Sequence, residues 1–467
     1  MIAEFLIKHQ KENPVWFHMP GHKGEKIYRE NGYGEFLDNF MNCDITEIAG
    51  ADNLFVAEGI IRETMDRYKA MYSAEETYLL VNGSSSGLIA AIMATVSKGG
   101  KLIMARNCHK SVFNGLYLAG GNPVYVYPET IEEYDISGEV TPEEVEKAYR
   151  ENPDAEAVLI TSPNYYGICS NIREIAEIVH SYGGVLIVDQ AHGAHLKFTD
   201  PDLAAENLGA DIVINSTHKT LASFTMSAIV NLCSKRINKY EFEDKLQLME
   251  STSPSYLLMA SLDINSRLLE EKGEKLVNEW KENLEYFRSE AGKIPGIKVM
   301  EHSLMDNTKL NIDMSAYGID GLMLEELLLK KNIYVELVTG NILMCMTGIG
   351  NKRCDFEKLL EALKEIALTH TLQEAKKEEL QEVRVKKLVQ KAIPEKKERV
   401  NLEESAGRIC ASSVIPYPPG IPIVCPGEVI NEEIVSYVKD IINRNQKVMG
   451  LVAKDEDIMF KEEEELV

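Results

Sequence analysis

No stretch of these 467 residues stays apolar over the roughly 18–20 positions that a membrane-spanning helix needs. The opening MIAEFLIKHQKENP lacks the charged-then-apolar layout of a secretory signal. It reads instead as a short amphipathic helix ended by Pro14. Basic residues are scarce: 50 Lys and Arg face 74 Asp and Glu, a net charge of −24. A nucleic-acid surface requires the opposite sign. A negative field favours a small cationic molecule, although solubility explains the surplus more simply, with several acids gathered in the tail KEEEELV. The eight cysteines (43, 108, 169, 233, 345, 354, 410 and 425) include no C-x-x-C pair. That argues against a zinc knuckle or a disulfide framework and for a reducing cytoplasm. Neither GxxxxGK[ST] nor GxGxxG occurs, so nucleotide binding is weakly supported. Internal repeats and low-complexity tracts are also missing.

What is present is an alternation. From Thr77, TYLLVN, KLIMARN, NPVYVYP, AEAVLITSP, VLIVDQAHG and DIVINSTHK read as short strands. Segments such as SSSGLIAAIMATVSKGG, HKSVFNGLYLAGG and NIREIAEIVHSYGG read as helices between them. The strand runs are short and apolar rather than alternating, as expected for strands buried on both faces. The pattern predicts an α/β domain with a mainly parallel sheet. Length and pattern together predict an N-terminal segment (1–55), a large α/β domain (56–275), a smaller α/β domain (276–370) and a C-terminal domain with a charged linker (371–467). The run near Leu262–Ile294 reads as a helical connector, and 369–407 as exposed helix and linker.

In such sheets ligands collect at the carboxyl ends of the strands. Four polar groups would meet there: Ser84-Ser85-Ser86-Gly87, His109, Asp189, and Ser216-Thr217-His218-Lys219. The serine-rich turn opens a helix, so its N–H groups and dipole can receive a phosphate. Ser216 and His218 can add donors, Asp189 faces a cation, His109 offers a flat ring and Lys219 an amine. Singly, each has a plainer explanation: a common turn, a helix cap, a solvated lysine. His192 and His195 could ligate a metal, but no carboxylate-rich third ligand stands near them in sequence, and no metal is expected. Jointly, the set suits pyridoxal 5′-phosphate (PLP), which needs a phosphate cup, an anion for its ring nitrogen, a stacking face and a Schiff-base lysine.

Nine segments in order resemble the bacterial ornithine/lysine/arginine decarboxylases of PLP fold type I, in the short form without a wing domain. They are FHMPGHKG (17–24), DITEIAGADNL (44–54), VNGSSSG (81–87), ARNCHKSV (105–112), TSPNYYGI (161–168), VDQAHGAH (188–195), STHKTL (216–221), STSPSYLLMASLD (251–263) and PYPPGIPIVCPGE (416–428). The resemblance implies an aspartate-aminotransferase-like fold. It implies Lys219 as the Schiff-base lysine, Asp189 beside the pyridine nitrogen and His109 stacked on the ring. Ser84, Ser85, Ser86, Ser216 and His218 would lie at the phosphate, His192 beside the ring, and Ser253 at the neighbouring subunit's phosphate. Lys219 or His218 would return a proton to Cα. Tyr417 and Glu428 are candidates for the substrate's side chain, and HMPGHKG for a segment over the site. The implied activity is decarboxylation of a small cationic amino acid, with arginine to agmatine in polyamine synthesis ahead of lysine and ornithine. The implied assembly is a homodimer or larger. Gln190, where the family commonly has an acid, the surroundings of Met226, Ala222 in place of a proline, and AYGIDG at 316–321 depart from the family pattern. An aminotransferase, another PLP lyase or a catalytically silent PLP-binding relative are the alternatives.

Overall fold

The computed structural model describes residues 1–373, 388, 397–417, 420–443, 447–454 and 457–461. Most of the expected linker between 374 and 396, Pro418 and Pro419, and the acidic tail lie outside the described residues.

The large domain is built on seven strands: β1 (Glu76–Leu80), β2 (Lys101–Ala105), β3 (Asn122–Val126), β4 (Ala155–Thr161), β5 (Val185–Asp189), β6 (Ile212–Asn215) and β7 (Ala228–Leu232). Their order in the sheet is β1-β7-β6-β5-β4-β2-β3. Only β7 runs antiparallel to its neighbours. The apolar runs are buried nearly throughout, because helices cover both faces. Helices α1 (Gly83–Thr95), α2 (Lys110–Ala119) and α3 (Ile172–Ser181) each follow a strand end, which sets their N-termini along the carboxyl edge of the sheet.

Helix α4 (Lys239–Met249) packs against α1. After a short exposed stretch, α5 (Tyr256–Ala291) runs for 36 residues. The domain boundary expected at 275/276 falls inside it. Its first half packs on Tyr68 and Tyr72, and its second half on the small domain. That domain holds a sheet of β8 (Lys298–Val299), β9 (Lys309–Asp313), β10 (Leu337–Thr339) and β11 (Ile342–Met346), covered by α6 (Arg353–Thr369). The N-terminal segment joins the small domain, since Val15–Phe17 pairs in parallel with Ile333–Val335. A C-terminal unit forms its own core around Val414, Val424, Ile430, Ile434 and Val438.

Candidate active site

β4 and β5 end in register, with Thr161 opposite Asp189, and β6 ends beside them at Asn215. Ser216 then leads into one helical turn, Thr217–Thr220. That turn lifts Lys219 off the strand end and sets its Nζ 2.9 Å from His192 Nε2 and 5.8 Å from the centre of the Tyr165 ring. The turn is wedged from behind. Gly21 donates its N–H to the His218 carbonyl at 2.8 Å, and a Cβ on Gly21 would lie 2.3 Å from the Thr220 carbonyl carbon. HMPGHKG therefore packs directly against the lysine turn.

The electrostatics follow from burial. Asp189 is buried, which pushes its carboxyl up, while Lys219 and the Ala191 N–H (3.1 Å) pull it down. Burial pushes the Lys219 amine down; Asp189 and Glu336 pull it up, and Lys309 pushes it down again. His192 is held well below its usual range by burial and by Lys219. The other ring nitrogen, Nδ1, is buried and has no partner. His109 caps α2: its Nδ1 accepts the Ser111 N–H at 3.3 Å, and burial and Lys219 lower its pKa to about 4.

The residues expected at the phosphate divide into two groups. Ser84 and Ser85 stand half-buried in the first turn of α1, after Gly83, whose φ of +79° few other residues adopt. The Ser216 hydroxyl is fully buried and unpartnered. Ser86 is already committed: its hydroxyl lies 2.6 Å from Glu250 Oε1 and 2.7 Å from the Gly83 carbonyl. His218 Nδ1 donates to the Ser227 carbonyl at 2.8 Å, and burial lowers the ring's pKa to about 4. Its Nε2 is therefore an acceptor when neutral, and only a bound anion that raises the ring's pKa would make it a donor. A buried acid, an orphan hydroxyl, an orphan ring nitrogen and a buried amine whose pKa is lowered fit a phosphorylated pyridine aldehyde.

The remaining expected residues are Glu428, Tyr417 and Ser253. Glu428 is fully buried in a two-pronged pair with Arg106, at 3.0 and 2.7 Å, and also accepts the Cys425 N–H. Arg106 further donates to the carbonyls of Pro422 and Ile423. All the recorded bonds of Glu428 thus go to the protein itself, fastening the C-terminal unit to the end of β2. Tyr417 ends the strand Ile415–Tyr417, and its side chain lies outside the described residues. Ser253 is exposed. Gln190 turns away from the site into a buried network: its Nε2 donates to Glu206 and Asn215, and its Oε1 accepts the Ala205 N–H. Asn215 and Asn231 also donate to Glu206. The acid expected at 190 is thus matched here by an amide facing Glu206. Met226, opposite Gly83, holds a φ of +83° with its side chain half exposed. His195 does not share a ligand with His192: it bonds Thr220 and Asp306, each at 3.0 Å.

Three features escaped sequence reasoning. Glu336 is half-buried, acts on Lys219 and accepts the Met19 N–H at 2.9 Å. A lone acid inside IYVELV was the available signal. Lys309 and Asp306 form a fully buried pair at 2.9 Å, and Lys309 also reaches the His192 carbonyl. His195 and Lys309 hold the Asp306 carboxyl well below its usual range against the opposing effect of burial. Glu250, at the end of α4, accepts from Ser86 and from the main chain of Val81 and Asn82.

Residues 2–312 match the description Orn/Lys/Arg decarboxylase, major domain, and residues 368–463 match Orn/Lys/Arg decarboxylase, C-terminal domain. An arginine decarboxylase of Bacillus subtilis is 33% identical over 461 residues, spanning 95% of this chain and 94% of the relative. One from Bacillus anthracis is 31% identical over 462 residues, spanning 95% and 93%. Among solved structures, the lysine decarboxylase of Francisella novicida superposes with a TM-score of 0.80 at 19% identity, covering 95% of this chain and 78% of that one.

Proposed function

The chain belongs to the Orn/Lys/Arg decarboxylase family, a PLP-dependent decarboxylase of basic amino acids, and from that premise we propose that it converts arginine to agmatine, feeding polyamine synthesis. The observation that carries the proposal is Lys219, its amine drawn toward the neutral form beside buried Asp189 and 2.9 Å from His192. Arginine is favoured over lysine because relatives named for arginine reach 31–33% identity, whereas those named for lysine stand at 22–25%.

When bound, the cofactor supplies an aldehyde for imine formation and a ring that accepts the electrons left when CO2 departs. The chain's own residues do the rest. Lys219, with its proton loosened, serves as nucleophile and base. Asp189 would hold the proton on the ring nitrogen, a pairing that favours its charged form. His109 presents its ring face, and its Nδ1 is spent on the helix cap. Ser84, Ser85 and Ser216 hold the phosphate, with His218 joining once protonated. Lys219 or His218 returns a proton to Cα. Glu336, half-buried and close enough to act on Lys219, is the residue assigned to the substrate's distal cation. Low surrounding dielectric strengthens each of these pairings. The proposal extends to a cytoplasmic homodimer or larger assembly, with Ser253 reaching the neighbour's phosphate.

The test is to supply purified protein and PLP with arginine, lysine and ornithine in turn, measuring CO2 and amine. Arginine is expected to give both, with kcat/KM at least about tenfold above the other two. A higher value for lysine or ornithine transfers the assignment. A keto acid without CO2 indicates transamination, and no product a silent relative.

A further inference from the structure

Glu250 lies where three elements meet. It is the residue after α4, only 6% exposed, and the last one before the exposed run Ser251–Ser253 that leads into α5. Its Oε2 accepts the N–H groups of Val81 and Asn82, both at 3.2 Å, and its Oε1 accepts the Ser86 hydroxyl at 2.6 Å. From the other side, Asn82 Nδ2 donates to the Met249 carbonyl at 2.9 Å. Four hydrogen bonds therefore join the end of α4 to the turn that opens α1.

The pattern sorts the donors at that turn. A helix N-terminus offers free N–H groups that favour an anion. The donors at 81 and 82 and the hydroxyl at 86 are used by Glu250, which leaves the turn between them, at Ser84 and Ser85, for a second anion. No cation is recorded against the Glu250 carboxyl among the described residues, and burial lifts its pKa to about 7. An acid held in so unfavourable a place is retained for the order it imposes, since a buried carboxyl without a counter-charge costs stability. Tyr78 of β1 and Glu243 of α4 are engaged with each other at 2.7 Å.

We propose that Glu250 is a positioning residue for the cofactor phosphate, holding residues 81–86 in the shape that leaves Ser84 and Ser85 to the ligand and tying that turn to the segment 251–253. This role rests on the placement of the phosphate proposed above. It is tested on the full chain by binding PLP and, separately, pyridoxal, which has the same aldehyde and ring without the phosphate. Imine absorbance and borohydride fixation at Lys219 give the affinities. Glu250→Ala is expected to weaken PLP binding by at least about tenfold and to change pyridoxal binding by less than about twofold. Glu250→Gln, which keeps the shape and exchanges one acceptor for a donor, is expected to lose about threefold for PLP alone and serves if the alanine variant does not fold. Equal losses for both ligands, or none for PLP, overturn the proposal. A wild-type chain that binds neither ligand overturns the cofactor placement instead.

Discussion

A lysine amine that loses water and faces a second buried lysine gives up its proton more readily than one in solution. Lys219 meets both conditions, with Asp189 and Glu336 opposing them. Glu336 is thus one of two carboxylates that act on the amine, and the only one of the two not buried at a strand end. Glu336→Gln is expected to raise KM for arginine about tenfold or more while kcat changes little, because a distal anchor binds ground state and transition state alike. Steady-state kinetics with arginine decide it: a fall in kcat at constant KM would assign Glu336 to the chemistry instead. Gln190 illustrates the opposite case, a residue beside Asp189 that serves the sheet. Gln190→Glu would set a second carboxylate against Glu206 inside the network of Asn215 and Asn231. It is expected to cost about 3 kcal/mol of stability, read from urea unfolding, with cofactor binding retained.

Strand ends and helix starts do the positioning, and one buried pair holds a third domain in place. Arg106 follows β2, three residues before His109, so the grip of Glu428 on Arg106 also steadies the strand end that leads to His109. The guanidinium also lies near the rings of Phe113 and Tyr125, whose centres are 5.6 and 5.5 Å away. Removing one partner of such a pair strands a buried charge. Glu428→Gln is expected to lose about 3–5 kcal/mol, and Arg106→Met combined with it less than the sum of the two single changes. A substrate anchor would behave differently, with KM rising while the unfolding midpoint stays put. Measuring both quantities on the same variant separates the two roles.

Among the described residues, buried histidines outweigh buried acids in the response to pH. Burial lowers His18, His22, His109 and His218 to about 4. Between pH 6.5 and 4 the unfolded chain binds more protons at these sites than the folded one, so stability is lost as pH falls through that window. The ceiling is about 3 kcal/mol for a well-buried ring such as His218, and less for the half-buried others. Glu250 has the reverse sign: its folded pKa is raised to about 7, so its contribution is complete below about 4.5 and lost as pH rises through 7. His192 and His195 are lowered too, and Asp189, Glu139 and Glu325 share the sign of Glu250, so six rings stand against four acids and predict a urea midpoint that falls by several tenths molar or more from pH 6.5 to 4. A midpoint constant across that range would contradict the burial of these rings.

Much of the architecture is written in local pattern. Short apolar runs separated by amphipathic helices specify strands buried on both faces, and that periodicity requires no knowledge of distant residues. The carboxyl-edge position of Lys219, Asp189, His109 and the serine turn follows, because a parallel sheet brings every strand end to one side. Partners distant in sequence were not legible. Glu428 and Arg106 are 322 positions apart, and Glu250 and Ser86 are 164 apart. Nothing in either neighbourhood says that a buried charge will be met, or by what. The sequence by itself determined the scaffold and where its reactive groups emerge, since these depend on periodicity and chain direction. Only the tertiary structure decided which of those groups remain free for chemistry, because a hydrogen bond already made to the protein is closed to a ligand, and such bonds form between segments that only folding brings together.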